Sequence, residues 1–200
     1  MALRWFRDQF YSLERRAAEQ DGLDTYDLMT QEAGEVPPGA DGLAALPHLE
    51  GAACPEFNPA ARAVFFGATL RHTRAHFVRA LMESVAYMLK KNLDIVEQLG
   101  VPMAEIRSAG GGARSGVWLK IKADVLQKPV IAVDAEEAAC QGAALIAATA
   151  TGRYASLEDA AARMVLARSI VEPEAVNADV YRAGYACYLE LYERLTPMFR

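Results

Sequence analysis

The 200-residue chain has only three cysteines, Cys54, Cys140 and Cys187, far apart and in no CxxC pair. That spacing supports neither a disulfide framework nor a zinc site, and it suits a reducing, cytoplasmic setting. Basic charge is also short: 21 Lys and Arg face 26 Asp and Glu, a net charge of −5. Duplex nucleic acid and anionic membrane surfaces require a positive footprint, so neither is expected as a partner. Long apolar runs are missing. Charges fall in Met1–Asp8 where a secretory segment would be apolar, and the uncharged stretch Ala138–Gly152 is Ala-rich, contains Gln141 and is too short to span a bilayer. There is no Gly-Lys-Ser/Thr phosphate loop, no GxGxxG with a ribose-binding acid, and no Ser-His-Asp or Cys-His set that spacing supports. What is present is a globular composition, 52% hydrophobic and 24% charged, long enough to bury a core in one domain or two small ones.

Along the chain, Leu3, Phe6, Phe10 and Leu13 predict a helix over the first twenty residues with one apolar stripe, stopping near Asp21-Gly22. Residues 34–59 are rich in Gly, Pro and Ala, and Leu43, Leu46 and Leu49 within them predict a loop laid on a surface. A long helix is expected from about Thr69 to Leu99, with Phe77, Leu81, Val85, Leu89, Leu93 and Val96 on its stripe and Gly100 as its stop. Strands are expected at Glu105–Ala109 and Val130–Val133, and more weakly at Ala167–Val171. Between the first two lies a helix through Val117, Ile121, Val125 and Leu126, and after them an Ala-rich helix in which Gly142 should permit close packing. Ser156-Leu157-Glu158-Asp159 has the pattern of a helix start, and Tyr181, Tyr185, Tyr188, Tyr192 and Leu195 stripe a final helix. Strand, glycine turn, helix, strand, helix is an α/β unit with too few strands for its helices. The chain therefore reads as the back half of an α/β domain.

The strongest local signal is Gly110-Gly111-Gly112-Ala113-Arg114-Ser115 at the end of a predicted strand. Glycines there let the backbone turn tightly and a ligand approach it, and the next helix would direct its positive end at a phosphate or purine edge. A plain strand-to-helix turn is the competing reading. His72 and His76 share a helix face, but no third metal ligand is evident and Arg71, Arg74 and Arg79 stand nearby, so a solvated or partner-facing polar face is expected. Arg79 and Glu83 are spaced for an i,i+4 pair worth a few tenths of a kcal/mol on an exposed helix. Asp134, Glu136 and Glu137 read as dipole partners of the Ala-rich helix.

Several blocks in order resemble the FGGY carbohydrate kinases, in a xylulokinase-like branch. Phe66-Gly67-Ala68-Thr69-Leu70-Arg71-His72 followed by Arg79–Ala86 is similar to the family's second signature region. Gly110–Ser115 with Trp118 and Ala123-Asp124 resembles its adenosine loop and helix, and Glu137 with Gly142-Ala143-Ala144 the next block. The resemblance implies an actin-like, ribonuclease-H-like α/β lobe, helix-rich and truncated at its N-terminal strands. Residues 1–200 would be an incomplete C-terminal lobe of an enzyme moving the γ-phosphate of ATP to a ketose such as D-xylulose. Gly110, Gly111, Gly112, Ala113 and Ser115 would then line the nucleotide. The first phosphate loop, most sugar contacts and most of the Mg2+ site would belong to an absent N-terminal lobe, and the catalytic Asp to a segment absent with the opening strands of the C-terminal lobe. The chain alone would be inactive and would self-associate or require a complementing chain. A non-catalytic truncated paralogue, serving as a binding or oligomerisation module, is the alternative. Gly51-Ala52-Ala53-Cys54-Pro55 and Lys120 depart from the family's Gly-Glu-Arg-Thr-Pro and Gln.

Overall fold

The computed structural model describes residues 1–200 apart from Glu136 and the side chain of Glu19. The first segment forms two helices, α1 (Ala2–Phe10) and α2 (Ser12–Asp21), the second closed by left-handed Gly22. The single stripe predicted over them is corrected: Leu3 and Phe6 are buried, but Phe10 and Leu13 are exposed. The break at Tyr11 resets the helical phase. Tyr11 takes the core position itself, fully buried, and its hydroxyl donates to Glu32 at 2.6 Å.

Glu32 lies on a helix absent from the sequence reading, α3 (Thr25–Glu35), whose N-cap Asp24 accepts from the Tyr26 N–H at 2.9 Å. The buried face of α3 is Thr25, Met29, Thr30 and Ala33, a helical spacing hidden by small and polar residues. Within 34–59 the chain is mostly irregular. It also contains strand β1 (Ala44–Leu46), antiparallel to β2 (Val64–Phe66), and sinks Leu43, Leu46 and His48 into the core, while Leu49 is half-buried. Three residues of Ala and Leu have no strand periodicity to read.

Helix α4 (Arg74–Gln98) starts later than predicted, because Thr73 and His76 form a reciprocal capping box that fixes the first turn. Its centre has no single stripe: Val78 to Ser84 are buried on every side, beneath α1, α3, β1 and the last helix, α8 (Ala178–Leu195). The Arg79–Glu83 pair expected on an exposed face is consequently internal. Arg79 donates to Glu83 at 2.9 Å, to the Ala33 carbonyl at 3.1 Å and to Tyr181 at 2.8 Å, and Glu83 also accepts from the Gly39 N–H at 2.9 Å. Burial pushes the Glu83 carboxyl above its usual range, against the pull of Arg79.

Past Gly100, β3 (Ile106–Ser108) pairs parallel with β4 (Val130–Val133) across helix α5 (Gly116–Leu126). β5 (Ala167–Val171) pairs antiparallel with β4, giving the order β3-β4-β5. α5 is packed on two sides. Leu119 and Ala123 meet Val130 and Ala132 of the sheet, while Ile121, Val125 and Leu126 join the α4-centred core. The Ala-rich helix α6 (Ala138–Ala150) has no buried residue, and a Cβ on Gly142 would touch nothing, so the close packing predicted for it does not occur. It leans on α7 (Leu157–Met164), where Ser156 caps the helix by accepting from Asp159 N–H at 3.2 Å, as its sequence predicts.

Candidate functional site

The glycine loop lies at the junction of the sheet and the helical body, because α5 is packed against both. Gly110 turns the chain out of β3 with φ 71 and ψ −166, a conformation in which a side chain is not tolerated. Its N–H donates to the Ala135 carbonyl at 2.9 Å, tying the loop to the end of β4. Gly111–Ala113 form one 3-10 turn, and Ser115 then caps α5 by accepting from the Trp118 N–H at 3.3 Å.

Gly111 and Gly112 differ from Gly110. Neither has positive φ, a Cβ on Gly111 would meet nothing within 4 Å, and one on Gly112 only the Lys122 ammonium at 3.7 Å. They open onto a cavity of about 540 Å³ walled by Leu3 and Arg4 of α1, Asp27 and Thr30 of α3, and Arg114, Ser115 and Trp118 beyond the loop. Of the five predicted site residues, Gly111, Gly112 and Ser115 line this cavity and Gly110 and Ala113 do not. Ala113 turns into the sheet core, and its carbonyl accepts from Arg168.

Sequence reasoning missed the facing walls on α1 and α3, and it missed Lys122. The Lys122 ammonium donates to Ser108 Oγ at 2.8 Å and to the Gly112 carbonyl at 3.2 Å, and lies 5.5 Å from the centre of the Trp118 ring. Burial lowers its pKa to about 8. The available signal was its spacing, four residues after Trp118 on one helix face. Trp118 Nε1 is buried without a hydrogen-bond partner. Asp124, also buried, accepts from the Glu174 N–H at 2.7 Å and from Asn177 at 2.8 Å, fastening α5 to the approach to α8.

His72 and His76 do not share a helix face, because α4 begins at Arg74; both rings instead reach Asp41. His72 Nδ1 accepts from the Thr69 N–H and His76 Nδ1 from the Thr73 N–H, with their rings edge-on at 5.2 Å. Among the described residues, no group of three or more His, Cys, Asp and Glu could hold a metal ion, so no metal ligand is assigned. Nor is any helix among them long and apolar enough to cross a membrane. Of the acids before α6, Glu136 lies outside the described residues. Glu137 is the N-cap residue without a side-chain cap hydrogen bond.

A solved xylulose kinase from Rhodospirillum rubrum superimposes on 99% of this chain with a TM-score of 0.84 and 34% identity, the chain covering 38% of that protein. With the sheet and glycine loop above, this makes the fold a helix-rich α/β lobe of the actin-like, ribonuclease-H-like class. The family model for the C-terminal domain of the FGGY carbohydrate kinases matches residues 1–151. The chain belongs to the FGGY family of carbohydrate kinases. Among curated relatives, a gluconokinase from Bacillus licheniformis is 36% identical over 98% of the chain, and a xylulose kinase from Bacillus subtilis 29% identical over 93%. The chain spans 38% and 39% of their respective lengths.

Proposed function

We propose that the chain supplies the nucleotide-binding part of an ATP-dependent carbohydrate kinase, with ATP in the cavity beside Gly111 and Gly112. One observation carries this reading. Among the described residues neither backbone conformation nor packing requires glycine at either position, and both line the cavity, a Cβ on Gly111 standing in open space. The positive end of α5 adjoins the same space and favours an anionic ligand. ATP supplies the transferable phosphoryl group. This chain's part is to seat the nucleotide and keep the loop open.

The acceptor is proposed to be a polyhydroxylated carbon chain, either a ketose such as D-xylulose or an aldonate such as gluconate. The similarity to both kinds of kinase supports this pair. The catalytic base and most acceptor contacts are assigned to residues outside these 200, so the chain alone should not turn over either compound. The test of the site is ADP binding measured by calorimetry, with Gly111→Val as the variant. Gly111→Val should weaken ADP at least tenfold with an unchanged melting temperature, since a Cβ at Gly111 meets nothing within 4 Å. Equal affinity in the two proteins would make the loop a structural turn only.

A further inference from the structure

Lys120 and Lys122 stand on the same helix in opposite circumstances. Lys120 forms ion pairs with Asp124 and Glu174, each at 3.0 Å. Lys122 is held by neutral groups: a serine hydroxyl, a backbone carbonyl and an indole face. A half-buried ammonium with such partners is costly to keep, and burial is what depresses its pKa. Its position suggests what that cost maintains. Ser108 is the last residue of β3 and Gly112 lies in the middle of the loop, so one side chain spans the turn from beneath.

Three consecutive glycines have the largest backbone freedom a chain can have, so such a loop keeps one shape only if tied. Two ties act at its ends: Gly110 N–H to the Ala135 carbonyl, and Arg168 to the Ala113 carbonyl. Lys122 supplies a tie at the glycine that faces the cavity, without lining the cavity itself. The Gly112 carbonyl oxygen, which would repel phosphate oxygens, is thereby engaged by the ammonium.

We infer that Lys122 is a positioning residue for nucleotide binding: it fixes the glycine loop by tying the Gly112 carbonyl to Ser108 at the end of β3. The inference rests on the nucleotide reading of the loop but has a readout of its own. Amide hydrogen exchange on the 200-residue chain reports the loop, and calorimetric ADP titration reports the site. In Lys122→Met, the amides of Ala113 and Arg114, which donate to the Gly110 and Gly111 carbonyls, should exchange at least tenfold faster while those of α4 are unchanged, and ADP should bind about tenfold more weakly. Lys122→Arg, which can still donate to both oxygens, should restore most of both effects.

Unchanged loop exchange in Lys122→Met would overturn the inference. So would a loosened loop with unaltered ADP affinity. If Lys122→Met loses protection everywhere, Lys122→Arg decides: retained loop protection supports the role, and equal loss makes Lys122 a general structural residue. If the wild-type chain binds no ADP, the nucleotide reading fails and the nucleotide role of Lys122 falls with it. The exchange result then still decides whether Lys122 fixes the loop.

Discussion

Helices α4 and α6 invert the usual relation between composition and burial. α4 contains Arg74, Arg79, Glu83, Lys90, Lys91, Asp94 and Glu97, yet its central turns are enclosed. α6 contains no charged residue and has no buried one. The difference lies in what the rest of the chain offers. α4 is covered by α1, α3, β1, α5 and α8, whereas α6 has α7 beside it. Ile146 on α6, Leu157 on α7, Leu166 after α7 and Ile170 on β5 remain 62%, 48%, 59% and 60% exposed. A helix is buried by its neighbours, and its own hydrophobicity states only that it could be. The centre of α4 is thus enclosed by its neighbours, while α6, α7 and β5 present apolar side chains that another surface could cover.

The largest effect expected from this contrast is at Glu83. Removing its carboxylate leaves Arg79 charged and enclosed, so Glu83→Ala should cost ~3–5 kcal/mol, read as a lower urea midpoint. The Arg194–Glu190 pair on α8 has the same i,i+4 spacing but is exposed. Glu190→Ala should cost less than about 1 kcal/mol. Similar losses at the two sites would show that the α4 interior is far better solvated than its geometry indicates.

Next in size is Gly184 on α8. A Cβ there would overlap the Tyr87 hydroxyl, and Tyr87 is itself buried between the rings of Tyr185 and Tyr188. Displacing Tyr87 would disturb its packing against Tyr185 and Tyr188, so Gly184→Val should cost ~1–3 kcal/mol by overpacking. Gly142→Val on α6 meets open space and should stay within ~0.5 kcal/mol. Thermal melts of the two variants test the contrast directly.

A smaller effect follows from acid. His48 is 2% exposed, and burial lowers its pKa. The unfolded chain therefore binds a proton that the folded chain refuses. The contribution of His48 is whole above the unfolded value of about 6.5, and is lost as pH falls from there through the lower folded value. Wild-type stability should fall over that window more steeply than that of His48→Gln. His48 packs against Tyr188 and Tyr192 of α8, so this pH dependence belongs to the helical body. Parallel pH curves for the two proteins would mean that His48 titrates normally.

The sequence was informative where structure is set locally. The Ser156 cap, the Gly100 stop, the β4 run and the strand-to-loop-to-α5 order all depend on neighbouring residues, and each is found. It misled where the answer lies across the fold. Arg79 and Glu83 look like a surface pair unless Ala33, Gly39 and Tyr181 are known to surround them. For the candidate site, the loop was legible because three glycines in a row are rare punctuation. Its opposite wall was not, because Arg4, Asp27 and Thr30 reach it from helices some eighty to a hundred residues earlier. Lys122 left only its spacing from Trp118 as a signal, because its partners Ser108 and Gly112 are brought to it by the turn between β3 and α5.

The smallest change in folding stability should come with the clearest change in association. Ile146 on α6 and Ile170 on β5 are exposed, and β3 and β5 are the two edges of the three-stranded sheet. Exposed apolar side chains and unpaired strand edges favour contact with another chain, so the isolated chain is expected to self-associate as its concentration rises. Ile146→Lys with Ile170→Lys removes apolar surface without touching the core, so the melt should move by no more than ~0.5 kcal/mol. Over the same concentrations, sedimentation should shift toward the monomer. A wild-type chain that is monomeric at every concentration would mean that α6 and β5 need no cover. Self-association undiminished in the double variant would place the contact on the helical body instead.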